Sequence, residues 1–226
     1  MAQWRTSNNC QPPFTDAEVL TIALMQSYFR TPTLKRTFLL VLANDPQAFP
    51  KCPTYKQWLA RLPQLTAALQ ALLQDLAQEK AHGQLFYLLD AQPMPMCHPL
   101  RHGRVGLLRE DGAWFGKTTK GWFFGFKLHL LVTAKGLLIN AILTPGNWDD
   151  RNVASALLQA VASGSVGLGD RGYRRPALQD ELFEEEGILL FSRADAEARY
   201  QGLLCRVRER VETIFSQLWS RFATQV

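Results

Sequence analysis

The sequence predicts an α/β fold in which helices flank a mixed sheet and a small helical domain comes first. Three observations predict it. Residues 15–80 carry apolar residues at helical spacing, whereas from Leu85 onward short apolar runs alternate with helical segments. The most apolar region, Gly121 to Thr144, is interrupted by Lys127, His129 and Lys135, and no run reaches the roughly 18 apolar residues of a membrane span.

Thr15, Asp16, Ala17 and Glu18 have capping-box spacing and start a first helix, with Val19, Leu20, Ile22, Ala23 and Leu24 behind them. Thr31-Pro32 breaks it. A second helix covers about 34–42 and stops before Asn44-Asp45-Pro46. Thr54 caps a third, containing Trp58, Leu59 and Leu62. A fourth, over 64–80, lines up Leu65, Leu69, Leu72, Leu73 and Leu76 on one face. We read residues 1–82 as one helical domain. It has no clear recognition helix, so packing or dimerisation and DNA binding both fit it.

The second domain spans 83–226. Leu85 to Leu89 is a continuous apolar run ending at Asp90, as in a buried strand. Residues 91–120 are rich in Pro, Gly and Arg and read as a long irregular loop. Trp122–Val132 and Leu137–Leu143 form a hairpin around Ala134-Lys135-Gly136, and Thr144-Pro145-Gly146 stops its second strand. Asp149 or Asp150 caps a helix over about 152–162. A short strand, Val166–Gly169, leads into Asp170. A helix over 175–186, the strand Ile188–Phe191 and a long helix from about Ala198 complete the chain.

Apolar residues at 47% and charged residues at 20% favour a packed core over disorder. The N-terminus, Met1 to Cys10, lacks the apolar stretch of a signal peptide. The four cysteines are scattered without a CxxC pair, which predicts reduced thiols in the cytoplasm. Cys97, His98 and His102 have zinc-ligand chemistry, but no second Cys/His cluster completes a site. Lys and Arg outnumber Asp and Glu by 8 to 5 over 1–84 and by 6 to 3 over 85–127, against 11 to 12 over 128–226. The positive excess lies in the first half, where a polyanionic partner would sit.

Asp90 and Asp170 each follow an apolar strand, which puts both at strand C-terminal ends, where α/β sites tend to lie. Such an Asp also serves as a plain turn or cap. Glu212 borders the apolar stripe Leu204, Val207, Val211, Ile214/Phe215 and Leu218 of the last helix, one turn from Arg208. Asp149 and Asp150 are its rivals as a third acidic group. Three carboxylates drawn together repel one another and need a cation. Oxygen ligands suit Mg²⁺ or Mn²⁺, and two such ions roughly 3.5–4 Å apart activate a water and stabilise a leaving phosphate oxygen.

Five segments in order resemble the bacterial insertion-sequence transposases of the DDE class. They are similar to the group named IS nine-eighty-two and more loosely to the IS four group. The segments are Leu88-Leu89-Asp90 with the following Ala-Gln-Pro-Met-Pro-Met, Phe124 to Leu130, Thr144 to Asp150, Gly169-Asp170-Arg171-Gly172-Tyr173, and Arg210 to Ser216. The resemblance implies an RNase H-like fold and metal-dependent DNA cleavage and strand transfer. It also implies that Asp90, Asp170 and Glu212 are the catalytic ligands of two Mg²⁺ or Mn²⁺ ions, with DNA as partner and a homo-oligomer assembled on it. The carboxylates are spaced by 80 and 42 residues. Arg208 and Glu212 fit the Tyr-Arg-Glu-Lys signature of the IS four group, with Cys205 and Trp219 in place of its Tyr and Lys. Family members continue well beyond the last Glu motif; 14 residues follow Glu212 here, which predicts a copy shortened at its C-terminus. A nuclease of the same fold and a non-catalytic DNA-binding remnant are the alternatives.

Arg101, Arg104, Arg109, Lys117, Lys120 and Lys127 are candidate phosphate contacts, as are Arg171, Arg174 and Arg208 nearer the carboxylates. Trp114, Phe115, Trp122, Phe123, Phe124 and Phe126 are interleaved with the first set. Exposed rings would stack on unpaired bases; alternation of Trp122, Phe124 and Phe126 equally fits a shared core face. Lys127 and His129 share one face of their strand.

Overall fold

A computed structural model describes residues 13–103, 108–119, 121–192 and 198–222, without the side chains of 171, 198–208 and 222. The chain divides into two compact units, one of residues 1–75 with 217–224 and one built on 76–216.

The first unit contains α1 (Asp16–Phe29), α2 (Leu34–Asn44), α3 (Tyr55–Arg61) and the first part of α4 (Thr66–Ala81). Both expected capping residues act as such. Thr15 and Glu18 complete a reciprocal capping box, and Thr54 does the same with Gln57. The core is Phe14, Val19, Ile22, Phe38, Val41, Trp58 and Leu65. Trp58 is wholly buried, and its indole N–H donates to the Val19 carbonyl at 3.2 Å. The fourth helix differs from expectation. Pro63 sits in a 3₁₀ turn, Leu62–Leu65, that places Leu65 in the core. Beyond it Leu69, Leu72, Leu73 and Leu76, expected on one face with Leu65, are exposed while Leu65 is buried.

The second unit is a mixed six-stranded sheet flanked by helices, the RNase H-like arrangement. Its strands are β1 (Phe86–Cys97), β2 (Trp114–Thr118), β3 (Gly121–Thr133), β4 (Leu138–Pro145), β5 (Val166–Gly169) and β6 (Leu189–Ser192). β1 pairs antiparallel with β3 on one side and parallel with β5 on the other, and β6 extends the sheet parallel to β5. β3 carries β2 and β4 in succession along its far edge. The helices are α5 (Arg151–Leu158), α6 (Pro176–Glu186) and most of α7 (Ala198–Phe222).

Val153, Ala154, Leu157 and Leu158 of α5 and Leu178 and Leu182 of α6 pack with Tyr87, Leu89, Leu131 and Leu190 of the sheet. In α7, Val211 and Phe215 are buried, so the described part of the apolar stripe is a packing face; Leu204 and Val207 lie outside the described side chains.

Residues 91–120 are not one irregular loop. β1 runs on through Pro93 and Pro95, and β2 adds a strand. The two prolines lack the N–H that a strand bonded on both sides needs. β1 tolerates them because its pairing with β5 ends at Leu88, which leaves only β3 beside this stretch. The alternation of Trp122, Phe124 and Phe126 does not mean one shared burial. Phe124 and Phe126 lie in a small core with Ala113, Met94 and Phe115, whereas Trp122 at the strand start is 62% exposed. His102 packs edge-on to Phe115 and tilted against Phe124, and its Nδ1–H donates to the Pro99 carbonyl at 2.8 Å.

Candidate active site

The register of the parallel pair places the two aspartates. Phe86, Tyr87 and Leu88 of β1 pair with Val166, Gly167 and Leu168 of β5. Two residues further on, the chains reach Asp90 and Asp170, so both leave the same end of the pair. Asp90 is not at the end of its own strand as expected, because β1 continues beside β3 with Asp90 opposite Leu130. It stands instead where the parallel pairing stops, and its carboxylate accepts from the Ala91 N–H at 2.9 Å.

Asp170 enters a 3₁₀ turn, Arg171–Tyr173, whose Gly172 N–H donates to its Oδ1 at 2.7 Å. A Cβ on Gly172 would lie 2.9 Å from that oxygen and 3.4 Å from Asp150 Oδ2. The turn thus brings Asp150 beside Asp170, and a side chain at position 172 would crowd the Asp170 carboxylate. Asp150 stands at the start of α5 but makes no side-chain cap there. Asp149 accepts from the Arg151 N–H at 3.0 Å and pairs with the Arg151 guanidinium, whose hydrogen bond holds its carboxyl down at about 2. Asp150 is left for Lys127, whose Nζ donates to Asp150 Oδ1 at 2.9 Å and to the Trp148 carbonyl at 2.8 Å.

Two buried polar side chains face this group. His129, two residues from Lys127 on β3, is fully buried; its Nε2 lies 2.8 Å from Thr144 Oγ1 and its Nδ1 4.0 Å from Asp150 Oδ1. Burial holds its pKa below the usual histidine value, against the pull of Asp150 and with a push from Lys127. Tyr173 is 1% exposed, and its hydroxyl has no hydrogen-bond partner among the described residues. Burial raises its pKa well above the ordinary value, and Asp150, Asp90 and Asp170 each raise it further. Asp150, Asp90 and Asp170 are thus all near enough to the buried Tyr173 to act on its hydroxyl electrostatically. A cleft of about 550 Å³ opens beside them, lined among others by Lys117, Trp122, Trp148, Asp150, Gly172 and Arg174.

Residues 80–223, sheet and last helix together, match the family model of the transposase DDE domain. The chain belongs to this family. No curated protein matches it.

In this DDE domain, Glu212 lies in α7 next to buried Val211, with its own side chain exposed. The described contacts bring Asp150 to the Asp170 turn. Among the described residues no three His, Cys, Asp or Glu side chains converge closely enough to enclose an ion by themselves. The donor chemistry still suits Mg²⁺, which keeps several waters and commonly takes only one or two carboxylates together with substrate phosphate. The unpartnered Tyr173 hydroxyl and the space kept open at Gly172 fit the same reading.

Of the candidate phosphate contacts, Arg101, Arg109, Lys117 and Arg174 are exposed. Arg109 donates to the His102 carbonyl at 2.8 Å. Lys127 is half-buried and held by Asp150, which makes it part of the carboxylate site as well as a cation near it. Arg104 and Lys120 lie outside the described residues, and the side chains of Arg171 and Arg208 outside the described side chains. No described helix is long and apolar enough to cross a membrane.

In the sequence Asp150 stands out as a helix cap and as a rival third carboxylate, and Tyr173 only as part of the Gly169–Tyr173 segment. The available signal was the pair Lys127 and His129 at period two, both aimed at the segment that follows β4.

Proposed function

We propose that this DDE domain cleaves DNA at insertion-sequence ends and joins them to target DNA, as a member of the IS nine-eighty-two group acting in the cytoplasm. The observation that carries the reading is the placement of Asp90 and Asp170 at the same end of the β1–β5 parallel pair, with Asp150 beside the Asp170 turn, in a chain of this family. Asp90, Asp170 and Glu212 would hold two Mg²⁺ or Mn²⁺ ions. When bound, these would favour a deprotonated water or 3′ hydroxyl and stabilise the departing phosphate oxygen.

The protein's own groups position the reaction. Asp90 and Asp170, fixed by β1 and by the 3₁₀ turn, hold negative charge at one strand end. Lys127 neutralises Asp150 and limits repulsion between Asp150 and an incoming phosphate. Exposed Arg101, Arg109, Lys117 and Arg174 bind the DNA backbone, as Arg104, Lys120, Arg171 and Arg208 would. Water attacks the scissile phosphorus and breaks the bond to a 3′ oxygen; that hydroxyl then attacks a target phosphodiester in line. No protein group becomes covalently attached. A homo-oligomer on DNA would bring two ends together.

The test is strand transfer with Mg²⁺ on a substrate carrying the inverted repeats that flank the gene. We expect joined products from the wild-type chain and none from Asp90→Asn or Asp170→Asn. Joined products from either variant would refute the assignment.

A further inference from the structure

The cleft beside Gly172 has walls that carboxylate chemistry does not use. Trp122 and Trp148 line it with 62% and 49% of their surface exposed. Neither is needed to fill a core. Trp122 lies outside the cluster that takes Phe124 and Phe126 from the same strand, and Trp148 stands in the turn after β4. Both are nevertheless held in place. Trp122 pairs with Lys117 across β2 and β3, and Lys117 Nζ lies 5.6 Å from its ring centre. The Trp148 N–H donates to the Pro145 carbonyl at 3.1 Å, while its own carbonyl accepts from Lys127. The β2 backbone closes on this turn at two glycines, since a Cβ on Gly146 would lie 2.6 Å from the Trp114 carbonyl oxygen and 3.1 Å from the Gly116 nitrogen.

The charges of the cleft are sorted by the same contacts. Asp149 is neutralised by Arg151 and Asp150 by Lys127. Lys117 and Arg174, both exposed, add positive charge to the lining. The cleft therefore offers aromatic faces and exposed cationic side chains, beside the carboxylates. Its volume falls within the roughly 300–1,000 Å³ of pockets that hold one small ligand. A base inside a duplex has both faces covered by its neighbours, so only an unpaired base presents a face to an indole.

We propose that this cleft seats one unpaired nucleotide of the DNA substrate, its base against Trp122 and Trp148 and its phosphate against Lys117 and Arg174. The inference rests on the reading of the protein as a DNA transposase and gives that site a preference for DNA that is not fully paired next to the cleaved bond.

The test is binding without cleavage, by fluorescence anisotropy on the full chain in EDTA. The probes are a blunt duplex, the same duplex with a short oligo-dT overhang, and that overhang with all its bases removed to leave an abasic backbone. The overhang should tighten binding, by roughly 5- to 100-fold if one or two rings stack on bases. The abasic overhang should lose that gain. The Trp122→Ala/Trp148→Ala protein should bind all three probes alike, so that removing the bases has no further effect on it. Equal affinity of the wild-type chain for the intact and abasic overhangs would overturn the proposal, and this arm needs no variant to fold. So would a double variant that keeps the full preference. Overhang preference in a chain that cleaves no DNA would leave the nucleotide site standing and refute the transposase reading; cleavage without overhang preference would do the reverse.

Discussion

Lys127 donates to the Asp150 carboxylate at 2.9 Å, and Asp150 in turn stands across Gly172 from Asp170. The pair links the middle of β3 to the start of α5 and fixes one wall of the carboxylate site. With side-chain exposures of 18% and 26% it is shielded well enough to matter for stability. Lys127→Ala leaves Asp150 facing Asp170 without its cation, and should lower unfolding free energy by about 1–3 kcal/mol. Asp150→Asn should cost less, since the amide oxygen still accepts from Lys127. Urea denaturation of both variants and of the double variant checks this; a coupling near zero would show that the pair contributes nothing.

His129 gives the site a pH dependence with a defined sign. Burial lowers its pKa in the folded chain below the unfolded value of about 6.5. The unfolded chain then binds more protons near and below that value, so stability is fully present above it and falls as pH drops toward the lower folded value. Denaturant midpoints should decline from pH 7.5 to pH 5 in the wild-type chain, and His129→Leu should remove a large part of the decline. Asp149 adds a second loss at lower pH. Its carboxyl, held at about 2 against an ordinary 3.8, contributes stability present above the ordinary value and lost as pH falls through about 2. Identical pH profiles for His129→Leu and wild type would contradict the placement of His129.

Gly172→Ala should separate folding from chemistry. The added methyl would press on Asp170 Oδ1 at 2.9 Å and Asp150 Oδ2 at 3.4 Å. Gly172 itself is exposed and the carboxylate ends it would press on can shift, so the stability loss should stay below about 2 kcal/mol. Cleavage should fall at least about tenfold, because misplacing a reacting group by a fraction of an ångström is felt strongly in the rate. Thermal melting and single-turnover cleavage of one preparation measure both. Full activity would show that the glycine is not there for the carboxylates.

Much of this architecture can be read from the sequence, for physical reasons that can be named. Thr15-x-x-Glu18 and Thr54-x-x-Gln57 carry their caps locally, and the alternation across β3 and β4 marks a hairpin around Gly136. What local reasoning misses depends on distant partners. Pro93 and Pro95 look like loop residues until β5 is known to end at Gly169. Trp122 has the same parity as Phe124 but lies at the open end of the strand. Leu69, Leu72, Leu73 and Leu76 have helical periodicity without being buried. In the site, Asp90 and Asp170 are legible because each follows an apolar run. Asp150 is not, because Arg151 satisfies Asp149 and frees its neighbour for Lys127 only once β3, β4 and α5 are assembled.

DNA affinity should depend steeply on salt through the exposed cations. Each phosphate contact removed lowers the slope of log K against log salt by about 0.9. Arg101→Ala with Arg109→Ala should therefore flatten it by nearly two. An unaltered slope would place DNA away from this segment.

The central claim is that Asp90 and Asp170 form one divalent-cation site at the end of the β1–β5 pair. Titration of the full chain with Mn²⁺, read by electron paramagnetic resonance of the free ion, tests it without any assumption about the DNA substrate. The wild-type chain should take up Mn²⁺ specifically, and Asp90→Asn and Asp170→Asn should each bind it at least about tenfold more weakly, with melting temperatures preserved. Equal uptake by the wild-type chain and both variants would contradict it.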